Sequence, residues 1–295
     1  MNIRKRQVLE HAQQLFVEKG VMATSVQDIL TKSQISKGTF YNYFPSKNDC
    51  LKAILELGYE ETKIRRQELL IGQDRADKSI LTKQIAIRLQ VNVDHNLLPI
   101  IEAIFHSGDA ELSAFAKKHH LAELQWLSNR LVDVYGKDTL PYAADCAVLL
   151  AGMLQHMFHF ITASSYGNID PTKLIQFIMR RVDEMMPSMI RTNDVLLGEE
   201  LFHFISMNQK EGNQTKHQLL EDLATFKEQL DNEEQATSEE YIDFLIDELK
   251  KESPRTHLLE AIARSFRESF SGTVHEHAAR KLASEIWIFV ESCSS

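Results

Sequence analysis

The stretch Ser36-Lys37-Gly38-Thr39-Phe40-Tyr41-Asn42-Tyr43-Phe44 is followed by Pro45 and predicts a short helix with two different faces. Ser36 is a favourable N-cap, and the proline ends the helix. Phe40 and Phe44 lie one turn apart and can both face a hydrophobic core. The other face then carries hydroxyl groups, an amide and a cation, which are the groups that bond phosphate oxygens and base edges.

Gly38 is the unusual residue of this predicted helix. A glycine inside a helix costs about 1 kcal/mol relative to alanine. Such a cost is understandable if the backbone has to approach another molecule closely. The composition of the outward face indicates that this molecule is a DNA duplex.

The flanking sequence predicts three more helices around this one. A first helix covers Ile3–Lys19 and stops at Gly20. Either Thr24 with Gln27, or Ser25 with Asp28, can form a capping box at the start of a second helix, which ends near Ser33. A fourth helix begins after Ser46. Two short helices joined by a tight turn, with a longer helix in front, predict a helix-turn-helix over about residues 25–44.

The charge of the chain changes sign along the sequence. Residues 1–66 contain eleven Lys and Arg against seven Asp and Glu, whereas the remainder contains twenty-two against thirty-five. A basic end on an acidic body is expected when one end of a protein meets a polyanion and the rest stays soluble. The balance therefore agrees with DNA as a partner of the N-terminal region.

The run from Leu15 to Leu51, LFVEKGVMATSVQDILTKSQISKGTFYNYFPSKNDCL, strongly resembles the DNA-binding domain of the TetR family of bacterial transcriptional regulators. The segments FVEKG, ATSVQDI, SKGTFYNYF and SKNDCL occur in order and without gaps. One departure is Gln34, where the family usually has glycine. A non-glycine residue must then accept the geometry of the turn, or the turn must differ slightly.

The resemblance implies a role for each residue of the contact surface. Those at the start of the third helix would reach base edges, and those that follow would hold the DNA backbone or adjacent bases. Residues at the front of the second and fourth helices would bind phosphates, aided by the helix N-termini. The predicted DNA-binding residues are Ser25, Gln27, Ser36, Lys37, Gly38, Thr39, Tyr41, Asn42, Tyr43 and Lys47.

The whole chain is predicted to be all-α, with a DNA-binding domain over residues 1–61 and a helical ligand-binding and dimerisation domain over 62–193. Separate helices are predicted after residue 60 and on either side of residue 120. The segment 143–166 is apolar on nearly all sides and predicts a helix buried on more than one face. The resemblance implies that this helix and the next one, 171–190, pack against a second copy, so that a homodimer carries two heads to two half-sites.

An effector pocket is expected in the same helical domain. Aromatic and methionine side chains typically line apolar cavities, although most such residues are simply core. The candidates are Phe105, Phe115, Trp126, Met153, Met157 and Phe160. His156 with His159, and His119 with His120, have no Cys or acidic residues at matching spacing, so a metal site is not predicted.

The last hundred residues, 194–295, exceed the usual length of the family and predict further amphipathic helices. They can widen the dimer contact, cover the pocket or form a second small helical domain, and the sequence does not choose among these roles.

Other classes of protein are disfavoured by absent features. No apolar run approaches the roughly 18 residues that span a bilayer, and no signal-peptide pattern follows the first residues, so a cytoplasmic protein without a membrane partner is expected. Three scattered cysteines fit neither a disulfide framework nor a zinc site and are expected to be reduced thiols. Motifs for phosphate loops, nucleophile elbows and metalloproteases are absent, so neither catalytic residues nor a cofactor is predicted.

These observations favour a ligand-responsive homodimeric repressor that binds a palindromic DNA operator and is released by a small apolar effector. One alternative from another class remains. The protein could be a DNA-bound interaction protein whose C-terminal region docks a protein partner, without any small-molecule effector.

Overall fold

The computed structural model describes residues 3–163, 170–198, 200, 216–230 and 235–294, and all regular secondary structure in these ranges is helical. The helices are α1 Ile3–Lys19, α2 Val26–Ser33, α3 Lys37–Tyr43, α4 Lys47–Leu70, α5 Lys78–Asp94, α6 Leu98–His106, α7 Ala110–Tyr135, a 3-10 turn Lys137–Thr139, α8 Leu140–Ala163, α9 Pro171–Thr192, α10 Lys216–Glu228, α11 Gln235–Lys250, α12 Thr256–Ser269 and α13 Glu276–Ser294. The prediction of an all-α fold is confirmed.

The chain forms two compact units, residues 1–209 and 210–295. The first unit contains α1 to α9, and the second contains α10 to α13. The domain boundaries predicted after residues 61 and 193 stay predictions, and α4 runs through the first of them without a break.

The first unit has a head core in which α1 to α4 pack together with α6. Phe16, Phe40 and Phe44 are fully buried in it, and Leu97 and Ile100 contribute from the segment around the start of α6. Gly58 on α4 allows this approach, because a Cβ at that position would overlap Cδ1 of Leu97. The head is therefore fixed on α4 and α6 by close packing.

Two predicted helix boundaries are wrong. The helix that begins after Ser46 continues to Leu70, so the helix predicted from Glu60 is its second half. The helices predicted on either side of His120 are one helix, α7. Continuous packing explains α7, since Leu112 near its start belongs to the head core and Leu131 near its end belongs to a second core.

This second core of the first unit, the body core, lies among α5, α7, α8 and α9. One face of α9 contributes Ile175, Ile178 and Val182, each fully buried. Cys146 and Leu150 contribute from α8. Burial raises the pKa of the Cys146 thiol to about 12, so this cysteine is an inert thiol at neutral pH.

The helix α8 is only partly covered within this unit. An 18-residue window within Lys137–Ile161 has a mean hydropathy of 1.3, so this helix is long and apolar enough to cross a membrane, a feature that was not expected from the sequence. A single such helix is weak evidence for a membrane span, because core helices of soluble proteins pass the same test. Leu149 and Phe160 on this helix are exposed, at 48% and 66%.

The second unit has its own core of four helices. Phe226, Phe266 and Phe270 make edge-to-face contacts, with ring centroids 5.1 to 5.6 Å apart. The buried carboxylate of Glu248 accepts hydrogen bonds from Arg255 at 2.6 and 3.0 Å. Such burial and pairing show that this region is folded material, as its amphipathic pattern predicts.

Candidate DNA-binding surface

The start of α2 is fixed by a capping box between Ser25 and Asp28. The Ser25 hydroxyl oxygen accepts from the Asp28 backbone N–H at 3.1 Å, and the Asp28 carboxylate accepts from the Ser25 N–H at 2.9 Å. This geometry decides between the two capping pairs that the sequence allows. Lys19 also donates to the Asp28 carboxylate at 2.8 Å. Together with the hydrogen bonds from Ser25, this contact holds the pKa of Asp28 well below its usual range.

The turn between α2 and α3 is made by Gln34 in a left-handed conformation, with φ 54° and ψ 44°. Its backbone N–H points at the carbonyl oxygens of Leu30 and Thr31. The turn therefore keeps its geometry, and Gln34 adopts the left-handed conformation at the position where the family usually has glycine. Non-glycine residues reach this region only at a cost in free energy.

The helix α3 has the two faces that its sequence predicts. Phe40 and Phe44 are 0% and 2% exposed in the head core. Lys37, Gly38, Tyr41 and Asn42 are exposed, and Thr39 and Tyr43 are partly buried. The N-cap Ser36 accepts from the Thr39 N–H at 3.1 Å, and the two hydroxyl oxygens are 2.9 Å apart. A rigid hydrophobic anchor therefore supports a polar outward surface on a seven-residue helix.

Among the residues that the structure describes, none requires glycine at position 38. A Cβ built on Gly38 would have Ser36 Oγ as its nearest neighbour, at 3.8 Å, which is an ordinary contact distance. The residue also lacks the positive φ that favours glycine elsewhere in the chain. The described structure therefore gives no internal reason for this glycine, which agrees with the close approach of another molecule.

The ammonium group of Lys47 bonds within the protein. Its Nζ donates to the carbonyl oxygens of Val21 and Thr24, both at 2.9 Å. These carbonyls belong to the loop that leads into α2, so Lys47 connects the start of α4 to the start of α2. An ammonium group has three donors, and the two bonds leave one N–H for a phosphate. Ser25 and Gln27 are both exposed beside this loop.

The sequence did not predict the contacts that Lys5 and Thr24 make beneath this surface. Lys5 on α1 places Nζ 5.1 Å from the ring centroid of Phe44. Thr24 is buried, and its hydroxyl donates to the carbonyl oxygens of Gly20 and Leu15 at 2.8 and 3.2 Å. Neither contact has a local sequence signal, because both depend on how α1 packs against the rest of the head.

The predicted effector residues stay predictions, and those whose side chains are described lie in different parts of the first unit. Phe115 packs against the head core, while Trp126, Met153 and Met157 are partly buried at the edge of the body core. Phe160 is 66% exposed. The side chain of Phe105 lies outside the described residues.

A cleft of about 350 Å³ lies between α1 and the end of α5. It is lined by Glu10, Gln13, Gln14, Val17, Glu18, Asp94, His95 and Asn96, so it contains none of the predicted effector residues. Within the described ranges, no group of three or more His, Cys, Asp and Glu is arranged to hold a metal ion. His119 instead stacks on Tyr59 with ring centroids 3.8 Å apart.

A helix-turn-helix head with an outward polar face defines a DNA-binding transcriptional regulator. Residues 8–54 match the family model described as bacterial regulatory proteins, tetR family. The resemblance inferred from the sequence is thereby confirmed for this segment, which is a TetR-type helix-turn-helix domain.

Two curated relatives match nearly the full length. The HTH-type transcriptional regulators YuxN and YerO of Bacillus subtilis are 27% and 26% identical, over 91% and 89% of this chain and 94% and 89% of their own lengths. The HTH-type transcriptional repressor Rv3405c of Mycobacterium tuberculosis is 34% identical over 21% of this chain and 33% of its own length. No solved structure matches the chain. Because the first two alignments cover about nine tenths of the chain, they extend into the second compact unit as well.

Proposed function

We propose that the protein is a homodimeric repressor that binds a palindromic operator through α3 and the starts of α2 and α4. The observation that carries this proposal is the division of α3 into a fully buried aromatic face and an outward face of Lys37, Gly38, Tyr41 and Asn42. The DNA-binding domain is assigned to residues 1–61 and the dimerisation and ligand-binding domain to 62–193. The protein acts in the cytoplasm, without catalysis, cofactor or membrane partner.

Dimerisation through α8 and α9 is supported by their exposed apolar side chains. Leu149 and Phe160 on α8 are 48% and 66% exposed, and Phe177 and Ile190 on α9 are 43% and 39% exposed. A second copy that presents the same two helices would cover these side chains in a symmetric four-helix contact. Two heads would then face two half-sites of an inverted repeat.

Release by a small apolar effector is supported by the methionine and aromatic residues at the edge of the body core. Trp126, Met153 and Met157 are partly buried there, and methionine side chains adapt readily to a bound molecule. An effector that binds a form whose heads no longer fit both half-sites shifts the population away from DNA.

Two measurements on the full-length protein test this function. Light scattering after size exclusion should give twice the chain mass of 33.9 kDa, and a thermal-shift screen of lipophilic compounds should find molecules that also release operator DNA. A monomeric mass at micromolar concentration contradicts the dimer. The partner-docking alternative would be favoured by two results together: every compound leaves melting and operator binding unchanged, and another protein co-purifies stoichiometrically with this one on DNA.

A further inference from the structure

An arginine cluster lies where α4, α5 and α7 meet. Arg66 on α4 is 7% exposed in its side chain and donates to both carboxylate oxygens of Glu123, from Nη1 at 2.9 Å and from Nη2 at 2.7 Å. Arg88 on α5 donates to the same carboxylate from Nη1 at 3.3 Å. Two guanidinium groups therefore share one carboxylate in a largely water-excluded place.

The second guanidinium group is bound to Glu123 less tightly than the first, and its other partner is the Tyr59 hydroxyl. The single bond from Arg88 to Glu123 is longer than the usual 2.7–2.9 Å of a charged pair. His120 beside it adds no positive charge at pH 7, because burial and the nearby Arg88 both lower the pKa of this histidine. Arg88 is 26% exposed, which leaves its outer donors accessible to a small molecule.

A second buried arginine is linked to the cluster through Gln84. Arg130 on α7 is 2% exposed and bonds the Gln84 side chain and Asp133, and its Nη2 is buried without a hydrogen-bond partner. Gln84 links this arginine to the cluster, since its side-chain amide donates to the backbone carbonyl oxygen of Arg66 and its backbone carbonyl oxygen accepts from Arg66 Nε. A buried donor without an acceptor costs free energy, so this part of the first unit holds more positive charge than its own acceptors satisfy.

Aromatic side chains flank the cluster on two sides. The Arg66 guanidinium lies 3.5 Å from the centroid of the Trp126 ring, and Arg88 lies 5.3 Å from that of Tyr59. Trp126 packs at the edge of the body core and Tyr59 at the edge of the head core. A molecule with both a negative group and an apolar frame would find suitable partners on each side.

We propose that Arg66 and Arg88 bind the carboxylate of an amphipathic small acid, in competition with Glu123. This inference rests on the proposed function, because the acid would be the effector that releases the operator. The effector would then carry a single negative charge besides its apolar part. Glu123 then serves as an internal carboxylate that holds the two arginines until the acid binds. Removal of its charge should strengthen binding of the acid.

The test uses the full-length protein and three acid probes, acetate, benzoate and decanoate, each paired with its neutral amide. Calorimetry measures the affinity for the parent and for three variants, Glu123→Gln, Arg88→Gln and Arg65→Gln. Arg65 is the matched control, because it lies next to Arg66 on α4, is 33% exposed and pairs with Glu61 and Asp94 instead. In a Trp287→Phe background, Trp126 is the remaining tryptophan, so its emission reports whether the acid binds beside it.

At least one acid is expected to bind the parent better than its neutral amide does. Compared with the parent, Glu123→Gln should bind this acid at least about tenfold more tightly, and Arg88→Gln should bind it at least about tenfold more weakly. Arg65→Gln should resemble the parent. The inference is overturned if no acid binds better than its amide, or if Glu123→Gln leaves the affinity of the best acid unchanged. Because Glu123→Gln removes a buried partner of Arg66, its folding is checked by circular dichroism, and Arg88→Gln provides an independent variant at a more exposed position.

Operator release measured with the same compounds separates the two proposals. If the acids bind with the expected pattern across the variants but leave the operator bound, the anion site stands and the effector-controlled repressor fails. If the neutral amides release the operator and the acids do not bind, effector control stands and the anion site is wrong.

Discussion

Gly38→Ala is predicted to stabilise the protein and to weaken its binding to DNA. The added methyl group has room, since the atom nearest to a Cβ at this position is Ser36 Oγ at 3.8 Å. Alanine is favoured over glycine in helices, so the free energy of unfolding should rise by about 0.5–1 kcal/mol. For a unit of this size, such a gain raises the melting temperature by about 1–4 °C.

The effect on DNA binding should have the opposite sign. If the Gly38 backbone lies against the duplex, the methyl group of alanine at this position would overlap the DNA. Overpacking of a close contact typically costs about 1–3 kcal/mol. The operator affinity of each head should then fall by about 5-fold to 150-fold. Fluorescence anisotropy on an operator fragment measures this loss, and calorimetric melting measures the gain in stability.

Two other glycines provide controls for this variant. Gly152→Ala on α8 also has open space around its Cβ, so it should raise the melting temperature while the operator affinity stays that of the parent, provided that light scattering still finds the dimer. Gly58→Ala should lower the melting temperature, because its methyl group overlaps Leu97. A Gly38→Ala protein that is stabilised yet binds the operator like the parent would refute the close approach of this helix to DNA.

Three further predictions concern the head and the arginine cluster. Gln34→Gly should raise the free energy of unfolding by up to about 1 kcal/mol in urea titrations, because glycine adopts the left-handed conformation without strain; an unchanged or lower value would contradict a strained turn. Lys47→Ala should weaken operator binding and lower the slope of log affinity against log salt by up to about one ion per head. It should also destabilise the free protein, because the bonds to the carbonyl oxygens of Val21 and Thr24 are lost. Tyr41→Ala should weaken operator binding without this loss of stability. Burial would raise the pKa of Glu123, but the positive charges of Arg66 and Arg88 outweigh burial and lower this pKa from 4.5 to about 2. The ionised Glu123 therefore stabilises the fold fully above pH 4.5, and this stabilisation is lost as the pH falls toward 2. In urea titrations at pH 3 and pH 7, Glu123→Gln should lack this part of the pH dependence.

Local interactions explain why the sequence predicts α3 and its faces correctly. The Ser36 cap, the spacing of Phe40 and Phe44, and the proline that follows all act within a few residues. The same is true of the turn at Gln34, where the missing glycine already indicates a residue with unusual backbone geometry.

Longer-range contacts explain what the sequence could not predict. The polar run around His120 resembles a helix break, yet α7 continues because its two halves pack against different cores. Lys47 finds its acceptors more than twenty residues earlier, and Arg66 pairs with Glu123 fifty-seven residues later. No local pattern encodes such partners, since they depend on how the helices pack.

The central claim is that the outward face of α3 reads operator DNA, and selection of genomic fragments by the full-length protein tests it most directly. The parent should enrich fragments that share an inverted repeat, with the repeat protected in footprints. A variant with Lys37→Ala and Thr39→Ala, which leaves Phe40 and Phe44 buried, should lose that enrichment while it keeps the helical circular dichroism spectrum of the parent. If the parent enriches no common sequence, or if the variant selects the same fragments with equal affinity, the proposed contact surface is wrong.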